Sequence, residues 1–304
     1  MADNGDAAGP RVAVVGLGTM GGQLARHLLA AGYRVTGRDV RPECVASFVA
    51  AGGAEAPDPA SAAAAADVVI LSLPSVAAFD EVITGTGGLM EAARPGLAVV
   101  EMSTLPLEVK ESARQLLAGR GAVLLDCPIS GTGAQLAGKD VVIYASGDAA
   151  ARERVTPVLT AFSRGVVDVG EFGSGTKLKF VANLLVAIHN VAAAEALLLA
   201  ERAGLDLPAT LAALTSGAGT SRMLEVRGPH MIDGDFGSAM AVATFQKDLD
   251  IIGAFARQLG CPTPLLAVTS QLNLAALAQG HANEDTASVF AVLQALAGGT
   301  GEAH

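Results

Sequence analysis

Three glycines in the run Gly16-Leu17-Gly18-Thr19-Met20-Gly21 follow the apolar stretch Arg11-Val-Ala-Val-Val and open a helical pattern from Met20 to Ala31. Between a strand and a helix, such glycines let the backbone turn tightly, approach a pyrophosphate and pack helix on strand, while the helix N-terminus attracts negative charge. The spacing predicts a dinucleotide-binding turn formed by Gly16, Leu17, Gly18, Thr19, Met20 and Gly21. Asp39 lies 18 residues after Gly21, just past the second apolar stretch, Tyr33-Arg-Val-Thr-Gly37. A carboxylate there can accept both hydroxyls of an adenosine ribose and repels a 2′-phosphate, which favours NAD. Arg38 and Arg41 could each pair with that phosphate, so NADP stays open.

The elements that must hold these residues are legible as short apolar runs. After the first two come Asp67-Val-Val-Ile-Leu-Ser72, Leu97-Ala-Val-Val-Glu101, Ala122-Val-Leu-Leu-Asp126, Val141-Val-Ile-Tyr-Ala145 and Gly165-Val-Val-Asp-Val169. Runs this short, rich in Val, Ile and Leu and alternating with helical or loop segments, predict a parallel doubly wound α/β sheet. Ala60 to Ala66 reads as a short packed helix. Beyond Gly173 the strand signals stop. A long proline-free helical pattern runs from Gly175 to Ala203, followed by helices over Pro208–Leu214, Met240–Leu259, Pro264–Gly280 and Asp285–Leu296. The expected organisation is a loose leader over 1–10, a nucleotide-binding domain over 11–173, an all-α domain over 174–298 beginning with the interdomain helix, and a loose tail over 299–304.

Composition removes several classes of function. The 304 residues carry a net charge of −10 without a Lys/Arg run, which argues against nucleic-acid and anionic-membrane partners. Mean hydropathy is +0.45, yet no apolar run approaches the roughly 20 residues that span a bilayer. Cys44, Cys127 and Cys261 are far apart and lack CxxC or CxxH company, so neither a disulfide framework nor a zinc site is expected, and the cytoplasm is the default location. The polar, acidic start does not read as a signal peptide. Acidic residues are not grouped at metal-ligand spacing, and no metal is expected. The absence of Trp argues against an aromatic-lined groove.

Four motifs occur in order: Gly16-Leu-Gly-Thr-Met-Gly21; Asp126-Cys-Pro-Ile-Ser130-Gly131; Gly173-Ser-Gly175 followed by Lys179 and Asn183; and Lys247-Asp248-Leu249. With them the chain resembles, over nearly its whole length, the β-hydroxyacid dehydrogenases, the group of 3-hydroxyisobutyrate dehydrogenase, tartronate semialdehyde reductase and L-threonate dehydrogenase. The resemblance implies an N-terminal Rossmann domain, a helical C-terminal domain, and NAD(P)-dependent hydride transfer to or from a small β-hydroxy acid or the matching aldehyde or keto acid.

It also implies roles for particular residues. Lys179 matches the general acid/base, and Asn183, four positions on, shares its helix face, so both heads can meet one small substrate. The surrounding apolar sequence offers Lys179 a low-polarity setting that favours the neutral amine, whereas Lys177 reads as a surface residue. Ser130, Gly131 and Thr132 match a turn whose hydroxyl and N–H groups bind the substrate carboxylate. Thr132, Leu136 and Lys139 depart from the family's commoner glycine, alanine and glycine, which puts the substrate's identity in doubt. Leu73 and Pro74 match the segment along the cofactor ribose, and Ser103 and Thr104 a pair beside the nicotinamide that could also cap the helix ahead of Pro106. Lys247 matches a lysine that reaches cofactor and substrate. Arg222 could clamp a second acidic group or serve an interface, His189 reads as a helix histidine, and Asn190 lies too far along the helix for direct chemistry. Apolar faces in the helical domain predict a homodimer or homotetramer.

Two rivals remain. Imine reductases resemble this family but usually lack the lysine, so Lys179 speaks against them. A non-catalytic dinucleotide-binding protein would have no use for Lys179, Asn183 and Ser130 together.

Overall fold

The computed structural model describes residues 9–237 and 240–298. Most of the expected leader (residues 1–8 of 1–10) and the expected tail over 299–304 lie outside the described residues. The chain divides into two compact units, Met1–Lys179 and Phe180–His304.

The first unit runs β1 (Val12–Val15), α1 (Thr19–Ala30), β2 (Val35–Arg38), α2 (Pro42–Ala50), β3 (Ala54–Glu55), α3 (Pro59–Ala64), β4 (Val68–Leu71), α4 (Val76–Thr84), α5 (Leu89–Ala92), β5 (Ala98–Glu101), α6 (Leu107–Ala118) and β6 (Val123–Asp126). It continues through β7 (Ile129–Ser130), α7 (Gly133–Ala137), β8 (Val142–Ala145), α8 (Ala149–Thr160), β9 (Gly165–Asp168) and the start of α9 (Ser174–Arg202). Six strands form a parallel sheet in the order β3-β2-β1-β4-β5-β6. Strands β1, β4 and β5 are buried at every position, as expected of strands covered on both faces. One apolar cluster, with Val12, Leu24, Val68 and Val100, fills one face, and another, with Ala13, Val69, Phe79 and Val99, fills the other. The order reverses between β1 and β4, so the carboxyl ends of those two strands form the switch point where such sheets bind ligands.

Two of the expected strands do not join that sheet. β8 and β9 form a separate three-stranded sheet with β7, and the β7–β8 pairing is antiparallel. Pro128, which has no N–H to give a ladder, interrupts the chain after β6. The short β7 and β3 carry no periodic signal in the sequence.

The second unit contains the rest of α9, then α10 (Leu207–Thr215), α11 (Arg222–Asp233), α12 (Val242–Gln258), α13 (Pro264–Ala278), a 3₁₀ turn over Thr286–Ser288 and α14 (Val289–Leu296). α11 was not expected from the sequence, because Gly228 and Pro229 fall inside it. Ser221 caps it by accepting from Leu224 N at 3.1 Å, and buried Leu224 and Met231 anchor it. Against the expectation from apolar runs, α9 is long and apolar enough to cross a membrane by length and composition, with a mean hydropathy of 1.6 over its most apolar stretch. Its Val191, Ala194 and Leu197 nevertheless lie in the unit's core, and Asn190 Nδ2 donates to Thr286 O at 2.8 Å. It is a core helix.

Candidate active site

The glycine turn follows β1 at the switch point. Gly16 has φ +90°, and a Cβ there would stand 2.2 Å from Ser72 O; a Cβ on Gly21 would stand 1.8 Å from Gly16 O. Neither clash can relax without moving backbone, so β1, β4 and α1 approach as closely as they do only with glycine at both positions. Gly18 is the N-cap of α1, with no side-chain cap and no acidic residue in the first turn. That leaves the positive helix end, with Thr19 and Met20, suited to a pyrophosphate.

Asp39 is buried just past β2. Its Oδ2 accepts from Leu17 N at 2.7 Å, and its Oδ1 accepts from Arg41 N at 2.9 Å and Arg41 Nε at 3.2 Å. Burial alone would raise its pKa, but these hydrogen bonds outweigh it and hold the carboxyl below its ordinary value. Asp39 is therefore ionised at neutral pH and ties the glycine turn to β2. The Arg41 guanidinium lies over the turn, 2.8 Å from where a Gly18 Cβ would be. The cradle, the helix end and the carboxylate together fit a dinucleotide.

Leu73 N donates to Ser103 Oγ at 2.8 Å, so two segments expected along the cofactor are joined directly. Ser103 and Thr104 do not cap α6, against that alternative expectation. The N-cap is Pro106, without a side-chain cap bond, and Ser103 Oγ is already engaged by Leu73.

Beneath them lies a buried ionic cluster that sequence reasoning missed. Glu101 and Asp126 end the adjacent strands β5 and β6 in register with each other, and Lys110 from α6 reaches between them. All three are fully buried. Lys110 Nζ donates to Ser103 O at 2.8 Å, Asp126 Oδ1 at 2.9 Å and Thr176 Oγ1 at 2.9 Å, and lies 3.9 Å from Glu101 Oε1. Glu101 Oε1 also accepts from Ser103 N at 2.6 Å. Burial pushes the Glu101 carboxyl up to about 7, against the opposing pull of Lys110. The signal was present in the sequence as two carboxylates ending neighbouring apolar strands. A buried pair of that kind demands a cation, but which lysine supplies it is a matter of tertiary packing.

Ser130 ends β7. Thr132 caps α7 in a reciprocal arrangement: its N–H donates to Gln135 Oε1 at 2.9 Å and its Oγ1 accepts from Gln135 N at 3.3 Å. The expectation of a free Thr132 N–H for a substrate carboxylate therefore needs correction, because the capping residue has taken that donor. The departures at Leu136 and Lys139 have local explanations. Leu136 is buried and its carbonyl meets His27 Nε2 at 2.8 Å, while Lys139 has φ 57°, the left-handed region that favours glycine. A Cβ on Gly133 would lie 2.8 Å from Thr19 Cγ2, so this turn sits beside the start of α1.

Lys179 and Asn183 lie one turn apart on α9, both buried, at 8% and 4% exposure, whereas Lys177 is exposed. In the helical unit Asn183 Nδ2 donates to Asp248 Oδ2 at 3.1 Å, and Lys247 Nζ lies 3.4 Å from Asp248 Oδ1. Buried Asp248, quoted in the sequence motif but given no role there, thus joins two expected site residues. Arg222 is exposed and pairs with Glu225 at 3.1 Å on its own helix, and His189 is half-buried on α9. Among the described residues no group of three or more His, Cys, Asp or Glu side chains could hold a metal ion.

Comparison with known proteins gives consistent findings along the chain. The family described as the NAD binding domain of 6-phosphogluconate dehydrogenase matches residues 11–170. That described as "NAD-binding of NADP-dependent 3-hydroxyisobutyrate dehydrogenase" matches residues 173–293. An L-threonate dehydrogenase from Cupriavidus necator is 35% identical over 286 residues, 94% of this chain and 96% of the relative. A 2-hydroxy-3-oxopropionate reductase from Escherichia coli is 31% identical, covering 94% of this chain and 98% of its own. The crystal structure of a 3-hydroxyisobutyrate dehydrogenase from Salmonella typhimurium superposes with a TM-score of 0.84 at 32% identity, over 93% of this chain and 99% of that one.

Proposed function

Because the chain belongs to the β-hydroxyacid dehydrogenase family, we propose that it interconverts a small β-hydroxy acid and the matching aldehyde or keto acid, with Lys179 exchanging the hydroxyl proton. The observation that carries this reading is a buried lysine on α9 one turn from a buried asparagine. Nicotinamide, when bound, supplies the two-electron hydride acceptor or donor. Ser130 Oγ–H and the Gly131 N–H hold the substrate carboxylate, and Thr132 contributes only if its bond to Gln135 opens. In oxidation Lys179, as the neutral amine, takes the hydroxyl proton while the carbinol C–H gives up its hydride, and the C–O bond becomes a carbonyl. In reduction it returns that proton. Asn183 orients the oxygen, and Lys247, tied to Asn183 through Asp248, adds positive charge for cofactor and substrate. The names of the three relatives compared above describe small oxygenated acids, and a panel of C3–C5 hydroxy acids with NAD and NADP tests the reading. No turnover across that panel overturns it.

The cofactor-side assignments are the glycine turn, Asp39, Leu73, Pro74, Ser103 and Thr104, with NAD preferred over NADP on the strength of the ionised, buried Asp39. Asp39→Ala should erode that preference, read as the ratio of kcat/KM for the two cofactors. A wild-type enzyme better with NADP by about tenfold or more, a difference of about 1.4 kcal/mol, means that Arg41 governs the choice. Exposed Leu265, Val268 and Leu274 on α13, and Val181, Leu185 and Leu199 on α9, support a homodimer or homotetramer; light scattering at micromolar concentration would refute it with a monomer. Three separate free thiols, Cys44, Cys127 and Cys261, suit a reducing cytoplasm, a placement that recovery in the membrane fraction would overturn.

A further inference from the structure

We propose that Lys110, Asp126 and Thr176 act together as positioning residues for Lys179, locking the first turn of α9 onto the ends of β5 and β6. The proposal rests on the reading of Lys179 as the proton-transfer group.

Four hydrogen bonds reach the start of α9, and two more tie their partners together. Thr176 N donates to Asp126 Oδ2 at 2.7 Å, and Thr176 Oγ1 donates to Asp126 Oδ1 at 2.7 Å. Lys110 Nζ reaches the same hydroxyl and the same carboxylate. Gly175 N donates to Ser146 Oγ at 3.1 Å, and that hydroxyl donates in turn to Asp126 O at 2.9 Å. A Cβ on Gly175 would stand 2.7 Å from Asp126 O and 2.6 Å from Tyr144 O, so the helix begins in direct contact with the strand-end backbone.

This exceeds what holding a helix end requires. A helix N-terminus is ordinarily capped by one side-chain oxygen; here two carboxylate oxygens, an ammonium and two hydroxyls are taken out of water to do it. Burying a charge is costly unless its partners are in place, and the bonds among Lys110, Asp126 and Thr176 favour one arrangement of the three. The same ammonium holds Ser103 O, and Ser103 holds Leu73. The cofactor-side segments and the turn that precedes Lys179 by three residues are thus referenced to one buried nitrogen. Proton and hydride transfer need their donors and acceptors aligned to fractions of an ångström, and a 1 Å misplacement can cost about 10²-fold.

Thr176→Val keeps the shape of the side chain and the backbone bond to Asp126 but removes the hydroxyl from both partners. We expect kcat to fall by about 10- to 100-fold, with the dissociation constant for the dinucleotide unchanged and the basic limb of the pH–kcat profile displaced. Thr176→Ser, which restores the hydroxyl, should recover most of the rate. A Thr176→Val enzyme with wild-type kcat and pH profile overturns the proposal even if it melts earlier, and so does a Thr176→Ser enzyme as slow as the valine variant. Should Thr176→Val fail to fold, Ser146→Ala removes the acceptor of Gly175 N and the bonds to Asp126 O and Oδ2, and the same readouts decide. Lys179→Ala measured alongside separates the two ideas. If it is as active as wild type, the proton-transfer reading falls and positioning with it. If it is nearly inert while Thr176→Val matches wild type, positioning alone falls.

Discussion

Lys179→Ala should lose about 10²- to 10⁴-fold in kcat, the contribution of a positioned acid/base group. The side chain is buried on α9 in line with Asn183, so truncation removes the proposed proton acceptor without disturbing the glycine turn or Asp39, which belong to other elements. Cofactor affinity should therefore stay within a few-fold of wild type, and the loss should appear in kcat. The direction of the pH effect follows from the chemistry. In oxidation the amine accepts a proton, so activity rises with pH as Lys179 becomes neutral, and the variant should lack that rising limb. In reduction the ammonium donates, and the limb reverses. Steady-state rates in both directions across pH 5–10, with fluorescence titration of the cofactor, would check this. A variant retaining more than a third of wild-type kcat would sink the assignment and return the imine reductase and non-catalytic readings to consideration.

The second large effect should fall on stability. Removing one partner of a buried ion pair typically costs about 3–5 kcal/mol, because the other charge is left without compensation. Lys110→Ala leaves Asp126 and Glu101 in that position, both fully buried. At roughly 2–4 °C per kcal/mol for a unit of this size, the melting transition should drop by roughly 6–20 °C. The deficit should also widen with pH. In the wild-type fold Glu101 binds its proton until about pH 7, well above its ordinary value of 4.5. Its contribution is therefore complete below about pH 4.5 and disappears as pH rises through 7. Without the opposing pull of the ammonium, the Glu101 carboxyl holds its proton to still higher pH in the folded state, so the variant loses stability more steeply between pH 5 and 8. Calorimetry at those two pH values reads the difference. A melting temperature within about 2 °C of wild type at both would show that Lys110 is not the charge that matters there.

These two predictions draw on different levels of legibility. Lys179 and Asn183 were identifiable because their spacing is that of one helical turn and because neighbouring motifs, in order, share a resemblance. Lys110 was not: it is the single lysine of α6, set among Glu108, Glu111 and Arg114, and its residue type suggests a solvated side chain, not one that turns inward. Thr132 shows the same limit. Its type and place suggested a donor for substrate, yet the glutamine three residues on, itself a helix-capping signal, had already claimed its N–H.

The apolar strand runs, the glycine turn between β1 and α1, the carboxylate after β2 and the long helix with its lysine and asparagine are legible in the residues alone. Each is written in side-chain periodicity or in backbone freedom over a few consecutive residues, and local physics is enough to read it. Tertiary packing set the pairing of β8 and β9 with β7 and not with the main sheet, since strand pairing depends on partners distant in sequence. It decided that α11 forms despite Gly228 and Pro229, because packing of Leu224 and Met231 outweighs intrinsic propensity. It also decided the buried cluster. A charge can leave water only when every partner arrives together, and Glu101, Lys110, Asp126 and Thr176 meet only once β5, α6, β6 and the start of α9 have packed.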